Sequence, residues 1–123
     1  MENKIDLGIY KNGKSTIFTG RPQGESVRES LKLDSKDCSD DKIVLVIPDN
    51  TTSFNPSFYL GLLFKSFEKL GIEGFDKKYS FEFSTKDEAT KKVLMNNLED
   101  GKRYAINSLN PSSGLKSLFS RRS

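Results

Sequence analysis

Histidine is absent from the 123 residues, which removes the commonest general base, the Ser-His and Cys-His nucleophile pairs and the usual zinc ligand. Most hydrolase mechanisms are thereby disfavoured, an enzyme with a carboxylate or Lys mechanism lacks a supporting constellation, and the chain reads as non-catalytic. The strongest remaining chemistry is at a helix entrance. Asn55-Pro56 sets an N-capping side chain before a proline at the first helical position, and Ser57 follows. A helix N-terminus offers unpaired N–H groups and a partial positive charge, which suit an anion. The plain alternative is that Asn55 and Ser57 only cap the helix.

Four other groupings carry weaker signals. Gly20-Arg21-Pro22-Gln23-Gly24 presents glycines and Arg21, making Arg21, Gly24 and Arg28 anion-binding candidates. It lacks the Walker lysine-serine ending and the dinucleotide glycine spacing, so a strand-to-helix turn is the preferred reading. Asp37, Asp40, Asp41 and Asp49 lack the glycine and closing Glu of a calcium loop, and they read as solvated loop charge with no metal or cofactor expected. Phe75, Tyr79, Phe81 and Phe83, beside Lys77 and Lys78, read as strand packing before base stacking. Cys38, the only cysteine, lies in the polar stretch 34–41 and reads as a passive surface thiol without a basic neighbour in sequence.

One compact domain is the capacity of this length. The apolar share is 34%, below the ~45% of average domains, but nine Phe and four Tyr supply bulky core residues. No apolar run approaches the ~18 residues of a membrane span, and the start MENKIDLGIY lacks a secretory pattern, so a cytoplasmic protein is expected. The net charge of +3 is uneven: Lys102, Arg103, Lys116, Arg121 and Arg122 follow residue 100 with no acid among them, leaving −2 for residues 1–100. A broad basic face is thereby disfavoured, although the basic end would still meet phosphates weakly.

These groups must be positioned by elements of both kinds. Ile5, Leu7 and Ile9 alternate, Asn12-Gly13 suits a tight turn, and residues 15–19 return, so the chain is expected to open with a hairpin. A short helix is expected over residues 25–33. Ile43-Val44-Leu45-Val46-Ile47 fits a strand buried on both faces. Leu60, Leu63, Phe64, Phe67 and Leu70 then form one helical stripe that Gly71 is placed to cap. Tyr79 to Phe83 alternates as a strand, and Thr85-Lys86-Asp87-Glu88 has the form of a capping box. The last helix aligns Leu94, Leu98, Gly101, Ala105 and Leu109 and is expected to run through Gly101 unbroken. The expected fold is α/β in the order ββαβαβα: a mixed four-stranded sheet with about three helices, a domain over residues 1–109 and a basic, disordered tail over 110–123. In that tail Leu115, Leu118 and Phe119 make a short amphipathic turn, read as partner-binding or floppy before membrane-binding.

Gly20 to Gly24 with Val27-Arg28, then Ile43 to Ile47, then Ser53-Phe54-Asn55-Pro56-Ser57-Phe58-Tyr59-Leu60-Gly61-Leu62-Leu63 together resemble a STAS-like domain family of undefined role. Phe75-Asp76-Lys77-Lys78-Tyr79 continues the resemblance, which covers about residues 15–107. More distantly, the strand and the helix opening at Asn55 are similar to anti-sigma-factor antagonist STAS domains. That resemblance implies a bacterial regulatory module that docks onto a kinase of the histidine-kinase ATPase fold, and it matches Ser57 to the phosphorylated position. Pro56 and Phe58 replace the small residue and glycine usual beside it. Thr52, Ser53, Asn55, Ser57, Phe58 and Tyr59 are the implied partner-binding residues. The competing expectation is a nucleic-acid-associated accessory subunit of a mobile-element or phage-defence system, using the basic C-terminal end.

Overall fold

The computed structural model of the protein describes residues 2–10 and 17–109. The apolar run at its centre is strand β3 (Lys42–Ile47), which pairs in parallel with β1 (Glu2–Asp6) on one side and β5 (Tyr79–Phe83) on the other. A central strand has neighbours along both edges, so β-branched residues on both of its faces lose water, as the sequence of β3 requires. The register sets Ile5, Leu45 and Phe81 abreast, flanked by the pairs Ile43–Tyr79 and Ile47–Phe83. These residues form the inner face of the sheet and join the core. The outer face carries Lys4, Val44 and Ser80 in one row and Asp6, Val46 and Glu82 in the next. There the Lys4 ammonium bridges the two edge strands, 3.2 Å from Glu82.

The helices are α1 (Arg21–Leu31), the short α2 (Leu33–Lys36), α3 (Pro56–Lys78) and α4 (Glu88–Leu109). Strand order follows chain order, so two successive crossovers of the same hand put α1 and α3 on one face of the sheet. Helix α3 packs between α1 and α4. The result is two layers with the core between them.

The chain does not open with a hairpin. Strand β1 takes the parallel ladder of β3 and ends at Asp6, whose side chain accepts the Gly8 N–H at 2.8 Å and turns Leu7–Tyr10 into a 3-10 helix. Residues 15 and 16 of the expected return strand lie outside the described residues, as does the Asn12-Gly13 turn. Ile17–Phe18, here β2, pairs in parallel with β4 (Ser53–Phe54) as a separate two-stranded ribbon. The expected four-stranded mixed sheet is therefore replaced, among the described residues, by a three-stranded parallel sheet and this ribbon. The α/β class holds.

The first helix begins four residues before its expected start. Gly20 adopts φ 93° as N-cap and Pro22 sits in the first turn, so the Gly-Arg-Pro stretch initiates the helix instead of separating it from the strand. Helix α1 ends where Lys32 enters the left-handed region at φ 56°. Gly71 has φ 76° and ψ 172°, a positive φ as its position suggested, but α3 resumes beyond it and carries Phe75 under Phe67 and Tyr79. The inner face of α3 is wider than the expected stripe: Phe58, Tyr59, Leu62, Leu63 and Phe67 are buried, while Leu60, Phe64 and Leu70 are half-buried. A helix enclosed by a sheet and two helices has little face left for water. Asp87, not Thr85, caps α4, its carboxylate accepting the Thr90 N–H at 3.0 Å. Helix α4 runs unbroken through Gly101, whose missing side chain leaves room for the Tyr59 ring.

Candidate functional site

The helix entrance is built from two glycine-permitted contacts. A methyl group on Gly24 would overlap the Phe58 carbonyl, and one on Gly61 would overlap the Arg21 carbonyl, so α1 and α3 cross with backbones nearly touching. This crossing lies one turn inside both helices and holds their N-termini abreast. Phe18 in β2 accepts the Asn55 N–H at 2.8 Å, which ties the strand before α1 to the cap of α3.

Ser57 sits at the junction. Its hydroxyl accepts the Gly20 N–H at 3.0 Å and donates to Asn55 Oδ1 at 2.7 Å, while Asn55 Oδ1 also accepts the Ser57 N–H at 2.8 Å. The cap reading of Asn55 and Ser57 is thus realised, and it spans two helices. Around it Thr52 and Asn55 are exposed, and Ser53 and Ser57 are half-buried. Phe58 and Tyr59, expected to meet a partner, point inward with 0% and 2% exposure. Of the residues expected to meet a partner, only Thr52, Ser53, Asn55 and Ser57 keep solvent exposure, because the ring of Phe58 is packed in the cluster with Phe18 and Phe54.

The anion-binding candidates are not brought together. Arg21 is half-exposed, its guanidinium 5.5 Å above the Phe64 ring and 3.9 Å from Glu25. The Gly24 N–H is bonded to the Gly20 carbonyl within the first turn. Arg28 is 4% exposed and turns into the protein. It donates to the Leu62 carbonyl at 2.9 Å, to Ser66 at 2.8 Å, to Asp34 at 2.7 Å and to Asp37 at 2.8 Å. The anion it binds is the chain's own carboxylate.

That network also corrects the solvated-loop reading of residues 34–41. Leu33 to Lys36 is helical, and Asp37 is buried, accepting from Arg28, from the Ser66 hydroxyl at 2.6 Å and from the Tyr79 hydroxyl at 2.5 Å. Four charged or polar groups from α1, the following corner, α3 and β5 therefore satisfy one another. Burial and the hydrogen bond to Asp37 push the Tyr79 hydroxyl up from its ordinary range, so it stays a donor. The Arg28 guanidinium holds the exposed Asp34 carboxyl below its ordinary value. Cys38 is exposed as expected, but a cation does stand beside it: the Lys69 ammonium lies 2.8 Å from Sγ.

Asn97 makes a structural contact that the pattern of α4 concealed. Its Oδ1 accepts the Phe54 N–H at 2.8 Å and fastens the ribbon to α4. A polar residue beside Leu98 on the apolar stripe was its only sequence signal. Of the basic C-terminal end, Lys102 pairs with Asp76 at 2.6 Å and Arg103 with Asp100 at 2.9 Å; Lys116, Arg121 and Arg122 lie outside the described residues. Among the described residues no group of three or more acidic or sulfur side chains is placed to hold a metal ion, and no helix is long and apolar enough to cross a membrane. No family model, curated protein or solved structure matches this chain.

Proposed function

We propose that this protein is a non-catalytic, STAS-like regulatory module that docks onto a partner protein through the paired entrances of α1 and α3, the partner being an ATPase of the histidine-kinase fold. The observation that carries this reading is the placement of Ser57. It lies between two helix N-termini held abreast by the Gly24–Gly61 crossing, with exposed Thr52 and Asn55 beside it. Both helix dipoles favour negative charge at this end, which suits an acidic surface on a partner. The same field would stabilise a phosphate on Ser57. Phosphorylation would remove the proton that the hydroxyl donates to Asn55 and bring charge to the junction, so it would remodel the contact surface.

The test is recovery of the partner from native cells on the immobilised chain, then reconstitution with the purified partner. Thr52→Glu and Ser57→Asp, which both set a negative charge against the acidic partner surface, are expected to lower recovery at least about tenfold, the loss of roughly 1.4 kcal/mol. Phe58→Ala is unsuitable here, since removing a core ring destabilises the fold. Undiminished binding in both surface variants, with folding intact, would count against this entrance as the docking site.

A further inference from the structure

Among the described residues, helix α4 leads to no strand. The earlier crossovers, β1 to β3 by way of α1 and β3 to β5 by way of α3, each deliver the chain to the next strand of the sheet, and α4 extends the same helical layer by packing against α3. The last strand is β5, and its outer edge carries no partner strand among the described residues. The Ser84 N–H donates to the Ile47 carbonyl at 3.0 Å, so in the alternation of a parallel ladder Ser80, Glu82 and Ser84 bond to β3. The main-chain groups of Tyr79, Phe81 and Phe83 therefore point to the open edge. Unpaired N–H and C=O groups on a sheet edge are a template for one more strand.

A shallow groove of about 190 Å³ lies between this strand and α4, with Phe81 on one side and Leu98, Glu99 and Lys102 on the other. Its rings are stacked on one another, Phe75 on Tyr79 and Tyr59 on Phe81, so what the groove offers is backbone and charge. Lys102 is paired with Asp76, whereas Glu99 has no ion pair among the described residues. The free charge of the groove is negative.

The next segment of the chain meets the requirements of the missing strand. Helix α4 runs alongside α3 in the same direction, Asn97 meeting Phe54 and Gly101 meeting Tyr59, so Leu109 ends it toward the side of the sheet where β5 starts. Residues 110–114, Asn-Pro-Ser-Ser-Gly, have the composition and length of a helix-to-strand connection and reach up to about 17 Å. Leu115-Lys116-Ser117-Leu118-Phe119 follows and is as long as β5, and a crossover of the usual hand lays it parallel to β5 on the open edge. Charge favours the same occupant, because residues 110–123 bring Lys116, Arg121 and Arg122 with no acid. A second copy offers the opposite, since its β5 edge would bring another Glu99 to the same groove.

We infer that residues 115–119 dock on the open edge of β5 beside α4 as a fourth parallel strand, and so close that edge to other strands. With its period of two, the segment sets Leu115, Ser117 and Phe119 on the inner face beside Phe81, and Lys116 on the outer face with Glu82.

The experiment is amide hydrogen exchange and interstrand NOE measurement by NMR on the full chain. The Phe81 and Phe83 amides are expected to be protected, and NOEs are expected between β5 and residues 115–119. Leu118→Pro takes a main-chain donor from the added strand, and Phe119→Asp sets a charge against the inner face; neither touches the core between Leu7 and Ala105. Both variants are expected to speed exchange at Phe81 and Phe83 at least about tenfold while leaving the amides of β3 unchanged. Absence of the NOEs, or exchange at Phe81 and Phe83 that both variants leave unaltered, would overturn the inference. Protection that rises with protein concentration would assign the edge to a second copy and overturn it equally.

Discussion

At the scale of single residues, Asp37 is the most consequential side chain outside the apolar core. It accepts from Arg28, Ser66 and Tyr79, and its side chain is fully buried. Asp37→Ala leaves a buried guanidinium arm and two hydroxyls without their acceptor and is expected to cost about 3–5 kcal/mol in urea unfolding. Asp34→Ala removes a partner that is 73% exposed and is expected to cost less than about 1 kcal/mol. Equal losses would refute the buried pin. Asp34 also has a defined pH signature, because Arg28, through a hydrogen bond and its charge, holds the carboxyl below its ordinary 3.8. A group depressed in the folded state contributes fully above its unfolded value and loses that contribution as pH falls through the lower folded value. The stability gap between wild type and Asp34→Asn should therefore be present at pH 7 and close in acid, with an NMR midpoint for Asp34 below 3.8. Sequence disclosed the N-cap at Asn55, since capping is local. It concealed Asp37, because a carboxylate in a polar stretch becomes a core residue only when Arg28, nine positions earlier, is turned to meet it.

At the scale of elements, two glycines of α3 do different work. Gly61→Ala is expected to cost about 1–3 kcal/mol or more by forcing α1 and α3 apart, since the added methyl meets backbone that cannot move aside. Gly71→Ala meets nothing within 4 Å, yet φ 76° with ψ 172° is a conformation nearly confined to glycine. Its expected cost is also about 1–3 kcal/mol, from strain alone. Heteronuclear NMR separates the two: Gly61→Ala should shift resonances at Arg21 and Phe58 across the helix crossing, and Gly71→Ala should not. Absence of that difference would argue that the crossing is looser than described. Strands β3 and β5 and helix α4 were legible because their periodicities of 2 and 3.6 are written into neighbouring residues. The start of α1 was misread because glycine and proline signal both a break and a first helical turn, and only the approach of α3 selects the second.

At the scale of the whole molecule, the buried core extends from Leu7 to Ala105, with Leu109 packed against it. Removing residues 110–123 takes away no residue of this described core. The same truncation decides the nucleic-acid reading. If the basic end binds phosphates, DNA or RNA affinity falls steeply with salt and vanishes on truncation; if the full chain binds neither at low salt, that reading is lost. By itself the sequence determined the α/β class, the parallel-type central strand, the long helices and the entrance at Asn55 to Ser57, because each follows from short-range pattern and capping chemistry. Only the tertiary structure decided that β1 joins β3 in place of a hairpin, that Phe58 and Tyr59 face inward, and that Arg28 is spent on Asp37. Those outcomes depend on which distant segments compete for the same hydrogen bonds and the same dry space, and that competition has no local period to read.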